Sequence, residues 1–179
     1  RGLNWSYLGD HMPGAAISDL EINNKTEELI AATHGRGIYT LSLQALHHML
    51  SQHLSKDTDH LFPIKEVVLP WFSASSNIPD YRTIEKISFA FWLSNSKQFT
   101  LSIRDKDNKE VWKTNIQGYR GLNEYRWDMI VQRQDSNLPY FTKYKSYIPS
   151  GAYNLVLSDG KREGQQEFLV RNRIEPYKE

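Results

Sequence analysis

The sequence predicts a mainly β protein whose larger part is a two-sheet sandwich. Three observations carry that expectation. From residue 84 onward large apolar residues recur at alternate positions, as in Phe89, Phe91 and Leu93, in Phe99, Leu101 and Ile103, and in Tyr153, Leu155 and Leu157. That period of two belongs to strands that bury one face. Turn chemistry separates the runs, with Asp105-Lys106-Asp107-Asn108-Lys109 and Ser158-Asp159-Gly160 as the clearest cases; Asn108 adopts a left-handed conformation almost as readily as glycine. Aromatic residues make up 12% of the 179 positions, enough for a packed core and too many for a disordered chain.

Taken in order, residues 1–43 read as short strands. One ends near Ile22, a second spans Leu29 to Thr33, and a third runs from Gly37 to Leu43. Asn23-Asn24-Lys25-Thr26 and His34-Gly35-Arg36-Gly37 are the reversals between them. So small a sheet cannot stand alone. Its open edges are expected to be covered by the sandwich or the linker helix, or by pairing between chains.

In residues 43–54 the period changes: Leu43, Leu46, Leu50 and Leu54, with Met49 beside them, mark one face of a helix. The polar run from Ser55 to Asp59 is its expected stop. Pro63, Pro70 and Pro79 make the next stretch an extended connector, and 72–82 read as a loop. A strand around Val67, then strands carrying Phe89, Phe99, Val111, Trp127, Tyr153 and Phe168, bring the count to about seven, the number of an Ig-like sandwich. The long interruption between Trp127 and Tyr153 reads as a loop, one long enough to be functional or packed on a neighbour.

Composition narrows the function. With 22 Lys+Arg against 21 Asp+Glu the net charge is +1, which gives no field for steering onto nucleic acid or anionic lipid. The absence of cysteine removes disulfides, thiolate nucleophiles and Cys-ligated metals. No apolar run is long enough for a membrane-spanning helix. The chain starts at Arg1 with no visible signal peptide, which suggests a piece of a longer protein or a processed one.

Two local patterns resemble a known arrangement. Residues 12–20, from Met12-Pro13-Gly14 to Leu20, followed by Thr33-His34-Gly35-Arg36-Gly37-Ile38-Tyr39, are similar to the closing blade of sortilin-like, BNR-repeat β-propellers of the glycosyl-hydrolase-like kind. Gly2-Leu3-Asn4-Trp5 resembles the tail of the S-x-D-x-G-x-T-W hairpin of such propellers, with Asn4 in place of Thr. Further on, Ile103-x-Asp105, Val111, Gly121-x-Asn123, Trp127-Asp128 and Pro149-x-Gly151-x-Tyr153 resemble the Ig-like module behind these propellers and the C-terminal module of flagellar hook-capping proteins. Asn108 stands where that module usually has Gly.

The resemblance implies three regions: strands of a last, partial propeller blade over 1–43, a linker helix and connector over 44–83, and an Ig-like β-sandwich over 84–179. It implies a non-catalytic accessory module that closes or presents the propeller of a bacterial protein, with an extracellular or periplasmic location. Its expected partner is that upstream propeller, with a glycan or another protein as further partners; nucleic acid is not expected. The alternatives are a carbohydrate-binding module, or a contribution to the active site of a parent glycoside hydrolase.

No catalytic residue, cofactor or metal is expected in this chain. His34 and Arg36 are the candidates from the blade: a guanidinium fork suits a carboxylate or sugar near a propeller channel, while the ordinary role of such residues is to decorate a glycine turn. His47, His48, His53 and His60 with Asp57 and Asp59 are the densest set of metal-ligand types; no pair has the H-E-x-x-H arrangement, and His53 with Asp57, at i,i+4, could share a face, although solvated His and Asp are common at a helix end. Asp105 and Asp107 share one hairpin and suit backbone bonding in the turn better than glycosidase chemistry; Asp128 is expected to tie a strand end. Trp92, Trp112, Tyr125, Trp127 and Tyr153 could stack on sugars, against the commoner role of filling a core. Tyr140, Tyr144 and Tyr147, with Phe141, lie in the long interruption and are the glycan-binding candidates.

Overall fold

Strand follows strand along most of the chain in the computed structural model, which describes residues 5, 7–8, 12–69, 86–134 and 143–172, with the backbone alone for 7, 132–134 and 143–145. After β1 (Tyr7–Leu8) come β2 (Ile17–Asn23), β3 (Glu28–Thr33) and β4 (Ile38–Ser42), an antiparallel meander in the order β2-β3-β4. The helix α1 (Gln44–Ser51) follows, then β5 (His60–Leu61) and β6 (Val67–Val68). Long strands occupy most of the rest: β7 (Ile87–Leu93), β8 (Lys97–Asp105), β9 (Glu110–Gly118) and β10 (Gly121–Trp127). The short β11 (Ile130–Gln134) and β12 (Lys143–Tyr147) pair with each other, and β13 (Gly151–Ser158) and β14 (Glu163–Arg171) close the described chain. A four-stranded sheet has the order β1-β10-β7-β5, and a five-stranded sheet the order β6-β14-β13-β8-β9. The protein is thus mainly β, with sheets that fit a β-sandwich, as the alternation predicts.

The chain divides into two compact units. The first comprises Arg1–Phe62, Ala90–Lys97 and Gln117–Glu124; the second comprises Pro63–Phe89, Gln98–Ile116 and Tyr125–Glu179.

In the first unit the core is a cluster of Ala45, Met49, Phe62, Trp92 and Leu122, against which Leu41, Leu46, Leu54 and Ala90 pack. The helix buries Ala45 and Met49, one turn apart. Leu50 does not join that face; it is 71% exposed, because the helix is only eight residues long and its buried stripe is centred on Ala45 and Met49 rather than on the leucines. The helix also stops earlier than the polar run at Ser55. Leu54 N–H donates to the Met49 carbonyl at 3.0 Å and His53 N–H to that of Leu50 at 3.2 Å, with His53 left-handed at φ 51°. This is a Schellman cap with histidine where glycine is usual, and Leu54 supplies its apolar contact. β5 runs antiparallel to β7, His60 opposite Trp92, and β1 runs parallel to β10, Tyr7 opposite Gly121. Trp92 fills the cluster and donates its indole N–H to the Lys56 carbonyl at 3.0 Å.

In the second unit two sheets face each other through aromatic rings. Phe89 of β7 stacks on Trp127 of β10, centroids 5.9 Å apart, and meets Phe168 of β14 at 5.9 Å. Tyr153 continues the row onto Phe168 at 5.9 Å, and Trp112 joins it at Trp127 at 5.4 Å. Leu101, Ile103 and Leu155 are fully buried. Each such side chain contributes about 1.5–3 kcal/mol on leaving water. Val67 lies beside Val170 in a parallel pairing, which makes β6 an edge of this sheet. The reversal after β8 is a tight hairpin: Asp105 Oδ1 accepts N–H bonds from Asp107 at 3.0 Å and Lys109 at 2.9 Å, and Asn108 is left-handed at φ 61°. Tyr153 donates its hydroxyl to the Pro149 carbonyl at 3.0 Å, which pins the start of β13.

The interruption between Trp127 and Tyr153 is not all loop. Its ends pair as β11 and β12, from Ile130 opposite Tyr147 to Gln134 opposite Lys143. Weak alternation in Gln132-Arg133-Gln134 and Lys143-Tyr144-Lys145 hides these strands from a hydrophobicity reading. Asp128 accepts the Ile130 N–H at 3.1 Å and so ties the start of β11. The loop read over 72–82 and the propeller-like Gly2-Leu3-Asn4 lie outside the described residues.

Candidate functional site

The turn between β3 and β4 is built by two left-handed glycines, Gly35 at φ 76° and Gly37 at φ 88°. Side chains at these positions would be strained, so the residues between and before them are set by backbone geometry. Thr33 closes the turn twice, its N–H and its hydroxyl both bonding the Gly37 carbonyl, at 3.1 and 2.6 Å. His34 N–H donates to the Ala16 carbonyl at 2.9 Å. The side chains of His34 and Arg36 are both exposed and have no hydrogen-bond or ion-pair partner among the described residues. They can meet a ligand or a neighbouring surface, and among the described residues neither is paired with an acid or a base.

The aromatic candidates separate by burial. Trp92, Trp127 and Tyr153 are 5%, 1% and 7% exposed, so their faces are spent on the core. Trp112 and Tyr125 are half-buried and tilt 51° to each other at 5.6 Å, a packing contact rather than a flat platform. Tyr147 is half-buried on β12; Tyr144 is placed on the same strand by its backbone, opposite Arg133. Tyr140 and Phe141 lie outside the described residues.

The histidines near α1 do not converge. His47 Nδ1 is 3.0 Å from Glu27 Oε1, His48 meets Phe62 edge-on at 6.1 Å, and His60 Nε2 is 2.8 Å from the Ser55 carbonyl and 2.9 Å from Thr58 Oγ1. Asp59 serves another network: it accepts the N–H and hydroxyl of Ser94 at 2.9 and 2.8 Å and pairs with Lys97 at 2.9 Å. Burial pushes its carboxyl up, but the bonds from Lys97 and Ser94 outweigh this and hold it below the ordinary carboxylate range. Among the described residues no group of three or more His, Asp or Glu is arranged to hold a metal ion, and no helix is long and apolar enough to cross a membrane.

One surface is absent from the sequence-based candidates. β2 carries Ile17, Leu20 and Ile22 at 41%, 58% and 53% exposure, and Ile38 on β4 is 71% exposed. The ladder sets Leu20 beside Ala31 and Ile22 beside Leu29, hence on one face with Tyr39 and Leu41, and sets Ile38 beside Ala32 on the other. A bulge at Ser18 brings Ile17 opposite Thr33 and so onto the face of Leu20 and Ile22. The alternation Asp19-Leu20-Glu21-Ile22 was the available signal, and without the bulge Ile17 would share a face with Asp19.

Compared with known proteins, the chain matches no family model and no curated protein. Among solved structures it is similar to PorZ, described as an essential bacterial surface component of the type-IX secretion system of Porphyromonas gingivalis, at 15% identity and a TM-score of 0.34. The match covers 87% of this chain and 16% of that one.

Proposed function

We propose that the chain is a non-catalytic accessory module of a larger bacterial β-propeller protein, in which the β2-β3-β4 meander is part of a final blade and the Ig-like sandwich stands behind it. One observation carries the reading: the meander exposes large apolar side chains on both faces, Leu20 and Ile22 on one and Ile38 on the other. A sheet that needs cover on both sides is what a blade flanked by other layers requires, and exposed apolar surface of this kind marks an interaction site. The burial of Trp92, Trp127 and Tyr153 supports a structural use of the aromatics. His34 and Arg36 then decorate a turn of the blade.

The test uses the longer protein that carries this chain. Arg36→Ala and His34→Ala are expected to leave hydrolysis of glycosides by that protein unchanged. A tenfold or greater loss of turnover with either variant, with KM and folding intact, would favour the parent-hydrolase alternative.

A further inference from the structure

The ladder of the meander fixes which backbone groups of β2 point outward. Thr33 N–H bonds Gly37 O and Leu43 N–H bonds Glu27 O, so every second residue of β3 from 27 to 33 turns its backbone toward β4. Glu28, Ile30 and Ala32 therefore turn theirs toward β2, where they face Asn23, Glu21 and Asp19. Leu20 and Ile22, in between, direct their N–H and C=O groups away from the sheet. Asp19 Oδ1 accepts the Leu20 N–H at 2.9 Å. The Leu20 carbonyl and both groups of Ile22 have no ladder partner among the described residues.

The side chains along this edge are sorted by face. Ile17, Leu20 and Ile22 lie on one face and are exposed; Asp19 and Glu21 lie on the other and are exposed too. The residues opposite the two carboxylates, Ala32 and Ile30, carry no charge, and neither carboxylate has a cationic partner among the described residues. An added strand therefore meets apolar side chains at one parity and negative charge at the other. Pairing β2 with β2 of a second copy would bring these carboxylates toward each other, which disfavours that occupant.

We propose that the outer edge of β2 is a strand-addition site for an extended polypeptide segment that alternates apolar and basic residues. Backbone bonds to the Leu20 carbonyl and to both groups of Ile22 supply the affinity common to such additions, and the face alternation supplies the selectivity. The inference rests on the ladder and the charges, and stands whether or not the meander belongs to a propeller.

The test uses the 179-residue chain and labelled peptides of about eight residues, one alternating Val and Lys, one alternating Val and Glu. Binding is read by fluorescence anisotropy at low salt, and the site by amide NMR shifts. The Val–Lys peptide is expected to bind roughly tenfold more tightly, from two cross-strand charge pairs, with shifts centred on 18–23. Ile22→Pro removes only an outward N–H, so it should keep the thermal melt and lose the binding. Asp19→Lys with Glu21→Lys should reverse the peptide preference, and this variant decides the matter if the proline variant does not fold. Equal binding of both peptides, no binding, binding that survives Ile22→Pro, or a dimer of the chain abolished by Ile22→Pro would overturn the proposal.

Discussion

Asp59 and Lys97 form an ion pair at 2.9 Å that joins the segment before β5 to the start of β8, and Ser94 adds two more bonds to the same carboxylate. The side chains are 26% and 31% exposed, so the pair is sheltered without being buried. The carboxyl is held below its ordinary range in the folded state. A depressed folded pKa contributes stability that is present above the unfolded value, near pH 4, and is lost as pH falls through the folded value. Asp59→Asn is expected to lower stability at pH 7 by about 1–2 kcal/mol. In urea titrations the gap between wild type and variant should shrink progressively as pH falls below about 4. A gap that stays constant would contradict the assignment.

His53 occupies a left-handed cap position that glycine fills without cost. Its ring makes none of the capping bonds, which come from backbone N–H groups. His53→Gly should therefore stabilise the first unit by about 0.5–1 kcal/mol, net of the extra freedom glycine gains in the unfolded chain. The measurement is the shift of the urea midpoint at constant slope; a destabilised variant would show that the histidine side chain contributes more than its backbone strain costs.

Among the described residues two tryptophans, Trp92 and Trp127, are deeply buried, and they differ in one atom's circumstances. Trp92 Nε1 donates to Lys56 O, whereas Trp127 Nε1 is buried with no hydrogen-bond partner among the described residues. Replacing either with phenylalanine removes a similar volume. Trp92→Phe also abandons a carbonyl acceptor, while Trp127→Phe removes an unsatisfied donor that costs about 1–3 kcal/mol. Trp127→Phe should thus be less destabilising than Trp92→Phe by roughly 1–2 kcal/mol. Equal losses would mean that Trp127 has a partner in solution.

The hairpin after β8 depends on Asp105 as both turn acceptor and strand end. Asp105→Ala frees the N–H groups of Asp107 and Lys109 and should cost about 1 kcal/mol. Asn108→Val should cost more, because a β-branched residue resists φ 61°, while Asn108→Gly should be close to neutral. Thermal melts of the three variants give the order directly.

How far the sequence discloses this molecule follows from which physical signals are local. Phe89, Leu101, Ile103 and Leu155 recur with large apolar residues two positions away, and all are buried; the period of two identifies that face, but not that Trp92, Ser102 and Val156 on the other face are buried as well. Asn108 and Asp105 declare their turn through chemistry confined to five residues. The end of α1 is not legible, since it relies on a histidine adopting the conformation normally given to glycine. Leu50 misleads because its spacing from Leu46 and Leu54 is helical, yet the cluster that decides burial is made by the distant Phe62, Trp92 and Leu122. The strands β11 and β12 carry too few apolar residues to show a period. Of the candidate site, the exposed turn bearing His34 and Arg36 is readable from its glycines, while the open edge of β2 requires knowing the pairing register.

If the chain is part of a β-propeller protein as proposed, Leu20 and Ile38, exposed on opposite faces of the meander, are covered there. The chain contains no cysteine, so Leu20→Cys and Ile38→Cys provide single thiol probes. Their rates of maleimide modification should be compared in the 179-residue chain and in a cysteine-free form of the longer protein. We predict that both thiols react rapidly in the former and at least about tenfold more slowly in the latter, as expected for sites that open only by local fluctuation. Equal rates in the two settings would mean that neither face of the meander is covered in the parent protein.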